Sequence, residues 1–301
     1  MAPSKSARGG SGDGQRVLVT GATGKQGGGL ARLLLAGGHR VRAFTRKPDS
    51  PAAEELRKAG AEIVSGQFED RASVERAARG MDVVFLVMTP YEQGAAAELR
   101  LGKLAVDAVH AAGVPYVVYS SVGNADTKTG IPHFDSKFQV EEHLKSSGME
   151  YSIVAPVAFS ENLLAPWTLG GLAQGTLLMG VLPDRKLQMI SLAEIAEFTA
   201  LAVEQRSKFR GHRVDIASVE LTPVEIARQL SELLGKEITP QQIPVEQLRK
   251  QSEDLAKMTE WFNRVGYSVD IPRLKREYPQ VHWRSFREWA AAQTWSAARS
   301  N

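Results

Sequence analysis

No cysteine occurs in the 301 residues. That removes disulfides, thiolate zinc sites, a cysteine nucleophile and direct thiol redox sensing together. Long apolar runs are also missing: none approaches the roughly 20 residues a membrane helix requires, and residues 1–14 (MAPSKSARGGSGDG) lack the apolar centre of a secretion signal. That Gly- and Ser-rich opening reads as a disordered extension. The 37 basic and 34 acidic residues are interspersed and the formal net charge is only +3, so there is no basic stripe for nucleic acid. The expectation is a cytoplasmic chain with no direct nucleic-acid partner, no membrane contact and no metal. One absence is local: no Asp or Glu lies between Asp13 and Asp49.

What is present is organised around RVLVTGATGKQGGGLARLLL, from Arg16 to Leu35. Four residues of buried-strand type meet Gly21, Gly24 and Gly27, and an apolar helical pattern (Leu30, Leu33, Leu34) opens on the last glycine. A strand, a phosphate turn and a helix follow from this order, because a pyrophosphate must lie against bare backbone amides and the helix must pack close to its strand. Thr23, Lys25 and Gln26 fill the turn with donors. The second strand, Arg40 to Thr45, ends in Arg46 and Lys47. An NAD site wants a carboxylate there, whereas the 2′-phosphate of NADP wants a guanidinium. With no acid nearby in sequence, Arg46, Lys47 and Arg42 are expected to meet that phosphate without repulsion, which favours NADP(H).

From Gln15 to Ala155 strand and helix signals alternate. Strands are expected at Ile63 to Ser65, Asp82 to Met88, Tyr116 to Ser120 and Tyr151 to Ala155. Helices are expected from Pro51 (capped by Ser50), from Asp70, over 95–112, and from Phe134 to Ser147. The fold class is α/β, a doubly wound parallel (Rossmann) sheet with ligands at the carboxyl ends of its strands, followed by a smaller α/β lobe over 156–301. Those strand ends place Gln67 and Phe68 at an adenine, Thr89 and Tyr91 along the cofactor, and Ser120, Pro156, Phe159 and Asn162 near its far end. Strands at Leu187 to Ile190 and Arg213 to Ile216 are candidates to return to the main sheet. The lobe carries capping boxes at Thr222 with Glu225 and Ser285 with Glu288. Trp261, Phe262, Tyr267 and Trp283 read as lobe core.

The motifs GATGKQGGG, TRKP, YVVYSS, HFDSK and SENLL (Ser160 to Leu164) together resemble the NmrA-like family, an atypical branch of the short-chain dehydrogenases, and within it the HSCARG-like subgroup. The resemblance runs from about Gln15 to near the C-terminus. It implies NADP(H) binding, a small C-terminal lobe and, in several members, a regulatory role as a redox sensor. Where short-chain dehydrogenases carry Tyr-x-x-x-Lys, this chain has His133 and Lys137. Two other departures are Gln67, where relatives often have an acid, and Ala155 with Pro156, where relatives commonly read Arg-Pro.

If the helix has begun by His133, that residue and Lys137 share a face about 6 Å apart. Lys137 would then hold ribose hydroxyls, and the imidazole would give a proton as hydride arrives or serve only as a rim or capping residue. Three readings share the site. One is a sensor whose NADPH-ordered loops around Arg46, Tyr91 and Phe159 are read by a regulatory protein or a second subunit. Another is an oxidoreductase acting on a quinone or similar flat apolar small-molecule substrate beneath Trp167 and Met179. The last is a binding module with an empty glycine turn.

Overall fold

The structure is a computed structural model describing residues 14–89, 93–295 and 298. Its main sheet joins β1 (Arg16–Thr20), β2 (Arg40–Thr45), β3 (Glu62–Ser65), β4 (Val83–Val87), β5 (Tyr116–Ser120), β6 (Glu150–Pro156) and β10 (Arg213–Ile216). The order is β10-β6-β5-β4-β1-β2-β3, with every pairing parallel. The chain winds one way from β1 to β3 and the other way from β4 onward. The point of reversal therefore lies between β1 and β4, where an open α/β sheet binds its ligand.

Alternation along β1 divides the core. Val17 and Val19 face a cluster with Leu30 and Leu34 of α1 (Lys25–Ala36), and Leu18 faces the opposite layer with Val106 and Val140. That opposite layer is built by α3 (Arg71–Ala78), α4 (Gly94–Ala111) and α5 (Pro132–Ser146), while α2 (Pro51–Lys58) lies beside β2 and β3. Both faces are covered, so the central strands read as continuous apolar runs. Gly102 of α4 lets α5 come close, since a Cβ there would stand 2.5 Å from Val140 Cγ2.

The remaining strands are β7 (Ala158–Phe159), β8 (Thr176–Met179), β9 (Leu187–Ile190), β11 (Val219–Leu221) and β12 (Thr239–Gln242). They form two small sheets, β11-β9-β7 and β12-β8. Of the two strands considered for the main sheet, Arg213–Ile216 extends it beside β6 and Leu187–Ile190 does not. The helices after α5 are α6 (Pro166–Ala173), α7 (Leu192–Glu204), α8 (Arg206–Phe209), α9 (Pro223–Leu234), α10 (Val245–Gln251), α11 (Glu253–Arg264), α12 (Ile271–Glu277) and α13 (Phe286–Ala291). Both lobe capping boxes close as expected, on α9 and α13.

Trp261 and Phe262 are buried in the lobe core with Tyr267 against them. Trp283 is different: it packs beside Phe198 of α7 on the α1 side of the main sheet, with ring centroids 6.2 Å apart. Among the described residues no helix is long and apolar enough to cross a membrane.

Candidate functional site

At the end of β1 the chain turns at Gly21, whose φ is +59°, a conformation that side chains rarely adopt. Gly24 donates to the Gly21 carbonyl at 2.9 Å and serves as the N-cap of α1 with no side chain to accept from the helix. The first turn of α1 carries no acid either, so its N–H groups and the positive end of its dipole stand open. Gly27 is required by packing. A Cβ there would lie 2.4 Å from the Gly21 carbonyl oxygen and 2.7 Å from that of Thr20. Side chains of the turn brace it against both neighbours: Thr23 Oγ1 lies 3.1 Å from Thr45 Oγ1 at the end of β2, and Gln26 Nε2 donates to Ser120 Oγ at 2.6 Å. Lys25 is exposed. A cradle that excludes a methyl group and presents uncapped N–H groups suits a pyrophosphate.

Arg46 and Lys47 are exposed at the end of β2, beside that cradle. Arg42 does not join them, contrary to the sequence reading. It sits directly opposite Glu62 in the β2–β3 register, bonds Glu62 Oε2 at 2.8 Å, and donates to the carbonyls of Ala77 at 2.7 Å and Arg79 at 3.2 Å. Nor is the rim free of carboxylates, because the turn after β3 brings Glu69 near. The Gln93 amide, donating at 2.8 Å, holds the Glu69 carboxyl below its usual range, and the charges of Arg46 and Arg100 add to this. Gln67 is exposed and bonds Ser73 through its backbone, while half-buried Phe68 lies 5.8 Å from Phe44. Thr89 is exposed after β4; Tyr91 lies outside the described residues.

The helix that follows β5 is α5, which begins at Pro132, so His133 and Lys137 do share a helical face. Lys137 is deeply set. Its Nζ donates to the Met88 carbonyl just past β4 at 3.0 Å and to Glu98 Oε1 at 2.7 Å, while the other Glu98 oxygen accepts from Ser136 Oγ at 2.6 Å. His133 is bound to the lobe: its backbone N–H donates to Asp254 Oδ1 at 3.0 Å, and ring Nδ1 lies 2.5 Å from Oδ2, bent away from a linear hydrogen bond. Asp254 thus caps α5, which has no cap of its own at Ile131. Burial works to raise that carboxyl, but the ring and backbone donors of His133 outweigh it and hold it below the usual range. Among the described residues His133 Nε2 has no hydrogen-bond partner.

Behind β5, Glu141 is buried with Ser121 donating to it and Arg213 Nε at 3.0 Å. Burial pushes the Glu141 carboxyl up against the pull of Arg213. The loop after β5 is tied to the lobe through Asn124, which donates to Ser268 Oγ at 2.8 Å and accepts from the Ser268 N–H at 3.2 Å. Pro156 is buried at the end of β6, Phe159 is half-buried against the main core, and Asn162 is exposed. Trp167, at the start of α6, is 70% exposed.

Glu98 and Asp254 escaped the sequence reading. Glu98 had a signal, since it lies on the same helical stripe as Leu101, Gly102 and Ala105, where an acid is out of place. Asp254 had none.

The sequence model of the NmrA-like family matches residues 13–290. A (4-alkanoyl-5-oxo-2,5-dihydrofuran-3-yl)methyl phosphate reductase of Streptomyces griseus is 28% identical over 293 residues, 91% of this chain and 96% of its own. An NADPH-dependent quinone oxidoreductase of Escherichia coli, solved with NADPH, superposes with a TM-score of 0.78 at 22% identity, over 91% of this chain and 98% of that one. NmrA, a negative transcriptional regulator solved with NAD, gives 0.76 at 21% identity, over 93% and 95%.

Proposed function

The chain belongs to the NmrA-like family, and from that premise we propose that it binds NADP(H) at the carboxyl ends of β1, β2, β4 and β5 and reduces a flat conjugated carbonyl compound such as a quinone or an enone. The observation that carries this reading is Lys137, a buried ammonium stationed just past β4. When bound, NADPH supplies the hydride.

The chain's own residues supply the positioning. The open N–H groups at the start of α1 take the pyrophosphate, Arg46 with Lys47 takes the 2′-phosphate, and Lys137 takes the ribose hydroxyls on the nicotinamide side. For the substrate oxygen the chain offers His133 as proton donor, its backbone held by Asp254, its ring beside that carboxylate and its Nε2 open. A quinone asks little of that donor. The exposed indole of Trp167 offers a face for a flat ring. The reductases among the relatives act, by their names, on a quinone and on an alkanoyl-oxodihydrofuran, both conjugated carbonyl compounds. Steady-state oxidation of NADPH with a panel of quinones and enones tests the reading. Turnover of about 1 s⁻¹ or faster with at least one of them is expected. Tight NADPH binding with no turnover across the panel would defeat it.

That second result would favour a redox sensor read by another protein or a second copy of the chain. The ties that bind cofactor-side residues to the lobe, Asn124 to Ser268 and His133 to Asp254, support it. A sensor also requires unequal affinities of NADP⁺ and NADPH for two shapes. Protease resistance would then differ between the two cofactor states.

Arg46→Ala is expected to weaken NADPH about tenfold, the loss of one charge-assisted phosphate contact, with NADH changed less than about twofold. Calorimetric titration with both cofactors checks this. An equal loss for both would overturn the assignment of the phosphate to Arg46.

A further inference from the structure

We propose that Glu98 is a positioning residue for Lys137: together with the Met88 carbonyl it fixes two of the three ammonium protons, so that the third is presented to the nicotinamide-side ribose of NADP(H). This rests on the cofactor reading above but not on turnover.

The argument starts from an acid in the wrong place. Glu98 lies on the buried stripe of α4 and is 2% exposed, where an unpaired carboxylate is not tolerated. Both its oxygens are satisfied from consecutive residues of α5: Ser136 Oγ at 2.6 Å on one, Lys137 Nζ at 2.7 Å on the other. Held at both ends, the carboxylate cannot rotate. An ammonium has three donors on a flexible stem and, left alone, would swing among acceptors. Here the Met88 carbonyl, 3.0 Å away, takes a second proton and completes the restraint.

Exposure gives the pair a direction. The Glu98 side chain has none, whereas that of Lys137 keeps 10%, so the pair opens to the outside only at its cationic end. That end stands just past β4, beside the reversal of strand order where the cleft forms. A buried ion pair adds little to stability over apolar side chains of the same volume. Its position at a strand's carboxyl end is accounted for by what the ammonium does there. The spacing of α4 and α5 that lets the two residues meet is set one helical turn away, where Gly102 admits Val140.

The test compares NADPH with adenosine 2′,5′-bisphosphate, which carries the adenine-side phosphates and lacks the nicotinamide half. Dissociation constants by calorimetry and thermal midpoints are measured on the parent, Glu98→Gln, Lys137→Met and the double variant. Glu98→Gln is expected to weaken NADPH about tenfold, one charge-assisted hydrogen bond, and to leave the bisphosphate within about twofold. Lys137→Met should show the same selectivity, and Glu98→Gln should add nothing in its background, because the two act as one unit.

Parallel losses for both ligands, no loss for either, or losses that add in the double variant would overturn the proposal and leave Glu98 an internal strut. Should Glu98→Gln not fold, Ser136→Ala, which frees the far oxygen and leaves the Lys137 contact in place, carries the same test with an expected selective loss of about threefold. A parent protein with no affinity for NADPH would instead defeat the cofactor reading.

Discussion

Gly27→Ala is expected to raise the dissociation constant for NADPH by about 100-fold or more, roughly 3 kcal/mol. The added carbon would stand 2.4 Å from one backbone oxygen and 2.7 Å from another. Crowding against side chains already costs about 1–3 kcal/mol, and main chain held in a strand and a hydrogen-bonded turn has less room to give. Relief comes only if α1 backs away from β1 or the Gly21 turn opens, and both movements draw the first-turn N–H groups off the phosphate. Calorimetry on the variant, with circular dichroism to show that the sheet persists, measures the effect. Unchanged affinity would mean that the turn is not the pyrophosphate site.

Lys137→Met comes next in expected size, a fall in kcat/KM of about 100-fold or more with a quinone substrate. Methionine keeps an apolar stem at this buried position and deletes the charge. The deletion also strands Glu98, whose side chain has no exposure, and an uncompensated buried carboxylate costs about 3–5 kcal/mol. A lower thermal midpoint is therefore expected beside the kinetic loss, and Glu98→Gln in the same chain should recover much of that midpoint without recovering turnover. Turnover that survives in the folded double variant would remove Lys137 from the reaction.

Local chemistry was readable from the chain and long-range chemistry was not. The glycine turn is legible because Gly21, Gly24 and Gly27 constrain one another over seven residues, and the alternating strands and helices announce a Rossmann sheet in the same way. Arg42 was misread because its partner, Glu62, is fixed by strand register, which spacing in sequence does not reveal. Glu69 approaches Arg46 for the same reason, from a different turn. Gln26 and Ser120 read as separate contacts of a bound cofactor; in the structure they bond each other. His133 was recognised at its helical spacing from Lys137, but the carboxylate that meets its ring arrives from α11, more than a hundred residues on.

One strand bears on the birth of the molecule at the ribosome. β10, lying against β6, is made only after the small sheet-bearing segment between them has been synthesised. Until Arg213 leaves the exit tunnel, β6 is an open apolar border with unpaired main-chain groups, the kind of surface on which nascent chains stick to one another. A chain that stopped before Arg213 would leave that border bare for good.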